Sequence, residues 1–219
     1  MKPIRAVLFD MDGLLLDSER RNMECAAAVA KEMGFELDIP SLARVVCGVR
    51  RAMAVETYAR CLPEWVDAAA FYDRKTELIH ERLQTEKLGS MKGAEELLKW
   101  LNAHGIACVL ATATTRESAE KSLRSVGLWE YLPYRVTGDM VTKSKPDPES
   151  YLKAAEAAGA SPSQCLVLED SFNGIRAGRA AGAYVGMVPD TLPYDELCAP
   201  YCDAVFSDLT EVIDWIQAD

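Results

Sequence analysis

The 219-residue sequence predicts an α/β protein: a doubly wound, mostly parallel sheet with a small helical domain inserted near its start. Three observations carry this. Ile4 and Ala6 to Phe9 form a short apolar run, the pattern of a strand buried on both faces. From Gly93 onward, helical and strand-like segments alternate. Between them, residues 18–89 hold helical patterns and no convincing strand.

The first strand ends in Asp10-Met11-Asp12-Gly13. On an extended chain, residues two apart point the same way, so two acids leave the strand side by side. Gly13 permits a tight turn there. Asp and Gly are ordinary turn residues, which accounts for one Asp and the Gly but not for the second acid. Glu19 to Lys31 is Ala-rich and helical. Ser41 is placed as the N-cap of a short helix, and Pro63 as the start of a longer one. On that helix Trp65, Ala69, Tyr72, Thr76, Ile79 and Leu83 would form one apolar packing face. Gly89 to Gly93 reads as the linker back to the sheet.

Beyond it the pattern predicts a helix over 94–103, a strand over 106–111 ending at Thr112, and a helix over 116–126. A strand over 134–137 precedes the loop Lys145-Pro146-Asp147-Pro148, and a helix over 150–158 follows. Cys165 to Leu168 is a strand ending in Glu169-Asp170, followed by a helix over 172–181. Strands over 183–188 and 204–206 and a helix from Thr210 complete the chain. Gly174, Gly178 and Gly182 recur every fourth residue, which suggests close packing of that helix on the sheet.

The formal net charge of −10, with no Lys/Arg cluster, argues against a nucleic-acid partner and would repel an anionic substrate unless a cation intervenes. The seven cysteines are an odd number without a Cys-x-x-Cys pair, which predicts reduced thiols in a cytoplasmic protein. The first apolar run is too short for a signal-peptide core, and no stretch approaches a membrane span. Neither histidine, His80 or His104, lies near the acids in the pattern, and no Gly-rich phosphate loop occurs.

In open α/β sheets, ligands bind beyond the carboxyl ends of the strands. Asp10, Asp12, Thr112, Glu169 and Asp170 all fall there, and Lys145 follows another strand. Carboxylates with one Lys and one Thr fit metal-assisted phosphoryl transfer. The acids would hold a hard divalent cation, most naturally magnesium (Mg2+), while Lys145 and Thr112 hold phosphoryl oxygens.

FDMDGLLLD, the Thr of LATAT, KPDP and LEDSFNGIRAG resemble, in order, the four motifs of the haloacid dehalogenase superfamily. The likeness spans nearly the whole chain. It is similar in particular to the small phosphatases and β-phosphoglucomutases, whose helical cap follows the first motif. The resemblance implies a Rossmann-like core over 1–17 and 90–219 and a cap over 18–89. It implies Asp10 as nucleophile and Asp12 as general acid, then base. Magnesium would be held by Asp10, the Asp12 carbonyl and Asp170, with Glu169 a ligand or a partner behind the ligands. Thr112, the Ala113 amide and Lys145 would bind the phosphoryl group. Asp17 would tie the turn, and Asn173 would support the helix start beside the metal.

Dehalogenases of the superfamily carry an aromatic residue where this chain has Asp12. An acid there is needed when an alkoxide leaves, so phosphate-ester chemistry is favoured. Cys47-Gly48-Val49-Arg50-Arg51 matches the cap loop, and Arg51 would contact substrate or simply sit solvated at a helix start. The mutases carry a His where this chain has Asn22 and a Lys where it has Cys47. The expected activity is therefore hydrolysis of a small sugar- or polyol-type phosphate by a monomer, with a sugar phosphomutase as the alternative. A phospho-acceptor signalling module would be about half as long, and an inactive binding module would lack the nucleophile or the Lys. Both rank below the enzyme.

Overall fold

The computed structural model describes residues 4–47, 51–86 and 88–218. Six strands form one sheet: β1 (Ala6–Phe9), β2 (Ala107–Ala111), β3 (Tyr134–Val136), β4 (Cys165–Glu169), β5 (Tyr184–Met187) and β6 (Ala204–Val205). Their order is β3-β2-β1-β4-β5-β6, and each pairing between these six strands is parallel. Each predicted strand is present, shortened at one end or both in most cases.

The alternation along β1 shows why the sheet is covered on both faces. Val7 and Phe9 pack with helices α5 (Ala94–Ala103), α6 (Arg116–Ser125) and α9 (Glu211–Gln217). Ala6 and Leu8 point the other way, against α7 (Glu149–Ala157) and α8 (Phe172–Ala181). A strand without a solvent face reads as a continuous apolar run, which is how β1 and β4 appear in the sequence. Two of the three glycines of α8 pack on the strands: a Cβ would lie 3.0 Å from Val167 and Val185 at Gly178 and still closer to the Glu169 side chain at Gly174, while Gly182 ends the helix in a left-handed turn.

Between β1 and α5 lie α1 (Glu19–Glu32), α2 (Ile39–Val46), α3 (Arg51–Ala59) and α4 (Ala68–Thr85). They bury their own apolar cluster, including Met23, Val29, Leu42, Tyr58 and Phe71. The two connections to the sheet run side by side: Met91 N–H donates to the Leu15 carbonyl and Asp17 N–H to the Gly89 carbonyl. No helix among the described residues is long and apolar enough to cross a membrane.

Three local expectations are corrected. Asp38, not Ser41, caps α2; its longer reach from an extended residue meets the Ser41 N–H, and Pro40 occupies the first turn. The long helix starts at Ala68 rather than Pro63, because the Asp67 carboxylate takes the N–H groups of Ala69 and Ala70. Its buried residues are Phe71 and Lys75, flanked by half-buried Ala68, Tyr72 and Leu78; of the expected face, Trp65 and Leu83 are exposed. A lysine on the buried side hides that side from a hydrophobicity pattern.

Candidate active site

Strands β1 and β4 are neighbours at the centre of the sheet, where the strand order reverses its direction of growth. The crevice at the carboxyl ends of such a pair is the ligand position of a doubly wound fold. Asp10 follows β1, Glu169 ends β4, and Asp170 comes next. All three are buried.

Lys145 joins them from the loop between β3 and α7. Its Nζ donates to Asp10 Oδ1 at 2.5 Å, Glu169 Oε1 at 2.6 Å and the Ala111 carbonyl at 3.1 Å. Glu169 Oε1 also accepts the Tyr151 hydroxyl at 2.6 Å. Its Oε2 accepts from the Asp170 and Ser171 N–H groups and from Ser171 Oγ. Only glycine fits at position 174, since a Cβ there would lie 1.8 Å from the Glu169 carboxyl.

Asp170 is different. Its Oδ1 is buried without a hydrogen-bond partner, and its Oδ2 lies 2.2 Å from where a Cβ on Gly13 would stand. Asp10, Glu169 and Asp170 each offer an oxygen within 4.8 Å of the others. An all-oxygen donor set with one orphaned acceptor fits a hard divalent cation.

Burial pushes the Asp10 carboxyl up to about 7, against the pull of Lys145. Burial and then the charges of Glu169 and Asp10 push Asp170 well above the usual range. Burial would lower Lys145, but the charges of Asp10 and Glu169 outweigh it and hold it above its ordinary value. Burial and then Asp12 push Glu19 up to about 8.

This sets a pH dependence for the metal-free protein. Asp10 and Glu19 have ordinary values of 3.8 and 4.5, so an unfolded chain releases protons that the folded one still holds. The stability these groups contribute is complete below those ordinary values and is lost as pH rises to about 8. Carboxylates with lowered values, such as Asp208 at about 2, are ionised in both states above pH ~5 and do not mask the trend. Thermal melts in chelator are expected to show a falling midpoint from pH ~5 to ~8, with added magnesium restoring most at the upper end. A midpoint that rises over this window in chelator would contradict it.

Asp12 is half-buried and turned differently from Asp10. Its Oδ1 accepts from Ser18 Oγ at 2.7 Å and its Oδ2 from Thr114 Oγ1 at 2.8 Å. It opens on a cleft of about 350 Å³ between the sheet and the helical insert. Ala113, Thr114 and Ser118 line one side, and Glu19, Asn22 and Lys75 the other. Thr112 is buried behind them, its hydroxyl accepting the Thr114 N–H at 3.1 Å.

The predicted residues Asp10, Asp12, Ala113, Lys145, Glu169 and Asp170 thus converge, with Thr112 adjoining. Arg51 begins α3, but its side chain and residues 48–50 lie outside the described residues. Asp17 pairs with Arg20 rather than closing the turn. Asn173 does not cap α8, a job done by Ser171; its amide instead donates to the Cys47 carbonyl of the insert at 3.2 Å. Tyr72 packs as expected, on the insert's apolar cluster and against the Tyr58 ring, and with Thr76 and Ile79 it also lines the cleft.

Thr114, Tyr151, Glu19 and Lys75 were not legible as site residues. Thr114 has a signal: two residues past Thr112 beyond a strand end, it can face the same way. Lys75 has none. It lies deep in the insert, donates to Asn22 Oδ1 at 3.1 Å and Tyr58 OH at 3.2 Å, and sits near the rings of Tyr58 and Tyr72.

Comparison with known proteins agrees with this architecture. The family of haloacid dehalogenase-like hydrolases matches residues 7–188. A phosphorylated carbohydrates phosphatase of Thermotoga maritima is 32% identical over 179 residues, 82% of each chain. Validoxylamine A 7'-phosphate phosphatase of Streptomyces hygroscopicus subsp. limoneus is 32% identical over 214 residues, 95% of each chain. The crystal structure of a hydrolase of this family from Deinococcus radiodurans, with bound phosphate and sodium, superposes with a TM-score of 0.77 at 29% identity, over 97% of this chain and 94% of that one. With its sheet order, its buried Asp–Lys–Glu–Asp cluster and a family match over most of its length, the chain belongs to the haloacid dehalogenase-like hydrolases.

Proposed function

We propose that this hydrolase is a magnesium-dependent phosphatase of a small sugar- or polyol-type phosphate monoester, working through an aspartyl-phosphate. The observation that carries the reading is the pairing at the β1 end. One aspartate, Asp10, is buried against Lys145, and a second, Asp12, faces the cleft with an acid where an alkoxide would leave. The relatives named as phosphatases of phosphorylated carbohydrates and of validoxylamine A 7'-phosphate support the substrate class.

Asp10, Asp170 and the Asp12 carbonyl would hold the cation, which supplies positive charge to the acids and to the phosphoryl oxygens. Glu169 has both oxygens engaged by protein donors, which suits a partner behind the ligands that fixes Lys145 on Asp10. An Asp10 carboxylate oxygen attacks phosphorus and the bond to the leaving oxygen breaks. Asp12 gives that oxygen a proton, then takes one from the water that hydrolyses the aspartyl-phosphate, releasing phosphate and free Asp10. Thr112, the Ala113 amide and Lys145 hold the phosphoryl oxygens. Residues 18–89 act as a cap that closes over the cleft and excludes water from it. The seven free thiols suit the cytoplasm, and a monomer is the state we propose.

Phosphate release from a panel of small monoesters, with magnesium and then with chelator, tests this. Metal-dependent release from a few sugar or polyol phosphates is the expected result. Isomerisation of a sugar 1-phosphate with a bisphosphate primer, in the absence of net release, would replace the phosphatase with a phosphomutase.

A further inference from the structure

Glu19 is a buried group that the steps above leave unused. It opens α1, is 7% exposed, and lines the same cleft as Asp12. Its Oε2 accepts the Cys47 thiol at 3.4 Å; among the described residues no donor or acceptor engages Oε1. Burial and then the charge of Asp12 disfavour its ionised form, which the Cys47 thiol and the Lys75 charge offset only in part. Groups held at such a cost mark functional positions.

Two roles do not fit. Glu19 is outside the set of carboxylates whose oxygens approach one another closely enough to share an ion. A proton carrier for the ester oxygen is already present in Asp12. Recognition remains, and the cleft restricts its object. Glu19 and Asp12 would repel a carboxylate or second phosphate placed between them, and Lys75 would repel an ammonium group. A hydroxyl is neutral and pairs with a carboxyl in either protonation state. Its position is also defined: the preceding residue, Ser18, holds the Asp12 carboxylate that faces the leaving oxygen.

We propose that Glu19 is a specificity-determining residue that hydrogen-bonds a hydroxyl of the leaving group, so that the cleft selects phosphate esters with a hydroxyl close to the ester carbon. The proposal rests on the phosphatase reading and goes beyond it by naming the residue that distinguishes a polyol phosphate from a plain alkyl phosphate. A site that hydrogen-bonds a substrate hydroxyl rejects the analogue without it, because its own polar group is left unpaired.

The experiment compares glycerol phosphate with propyl phosphate, esters of similar size with and without hydroxyls, on the wild type and on Glu19→Ala. The wild type should prefer glycerol phosphate. In Glu19→Ala the ratio of kcat/KM values should fall by about 10- to 100-fold, chiefly through a raised KM for glycerol phosphate. Glu19→Gln, which keeps a donor and an acceptor, should recover part of it. Glu19→Met, of similar length but without a strong hydrogen-bonding group, carries the same comparison if the shorter side chain unfolds the insert. An unchanged ratio in the Ala or Met variant, or a wild-type preference for propyl phosphate, would overturn the proposal. A wild type that hydrolyses neither ester nor any other monoester would instead overturn the phosphatase reading.

Discussion

Asp10→Asn is expected to abolish phosphate release, by at least about 10⁴-fold, without loosening the fold. The amide keeps the shape of the carboxylate but is not nucleophilic, so no aspartyl-phosphate forms. Stability is preserved because the replaced group sits where burial already disfavours its charge, pushing it up to about 7. Lys145 keeps Glu169 as a charged partner at 2.6 Å and the Ala111 carbonyl at 3.1 Å. Thermal melts should therefore match the wild type within a few degrees in chelator. Retained turnover in a folded variant would show that the nucleophile is another residue.

Lys145→Met should fail in both respects. The lysine is the cation that the structure places against Asp10 and Glu169, both buried. Removing one partner of a buried ion pair leaves uncompensated charge, at a cost of about 3–5 kcal/mol. For a chain of this size that corresponds to a melting midpoint lower by roughly 6–20 °C. The loss should be larger at pH ~8 than at pH ~5, because Asp10, pushed up to about 7, holds its proton at the lower pH. Turnover should fall by about 10³-fold or more, since the phosphoryl group loses a fixed cation. Magnesium would offset part of the stability loss but not the turnover. A variant as stable as the wild type at pH ~8 in chelator would mean that Lys145 does not hold these carboxylates together.

The two variants separate what the cluster does chemically from what it does structurally. In the proposed mechanism Asp10 is the reactive group, in a setting that tolerates its neutral form. Lys145 is a structural counter-ion, fixed by Glu169, whose other donors come from Tyr151 and the turn at Ser171, and in the same proposal it also holds the phosphoryl group. Glycine at 174 and 13 leaves room for the Glu169 and Asp170 carboxyls. The local chain geometry around β4 is therefore shaped by the acids it presents.

The strands that carry the acids were legible because each is a short apolar run ended by a polar residue, a local pattern set by burial on both faces. The carboxyl ends of parallel strands lie at one rim, so Asp10, Thr112, Glu169 and Asp170 could be placed together from order alone. The helical insert was legible as a stretch without strand pattern. The sequence did not determine what faces the cleft. α4 turns Lys75 inward and Tyr72 toward the cleft, because its packing against α1 and α3 outweighs its weak apolar periodicity. Tyr151, Thr114 and Glu19 acquire their positions from partners up to 102 residues away, as in the bond from Thr114 to Asp12. Side-chain partnerships across such distances are made by the packing of whole elements, which no local pattern encodes, so the acids at the β1 end could be placed from sequence and the lining of the cleft only from the fold.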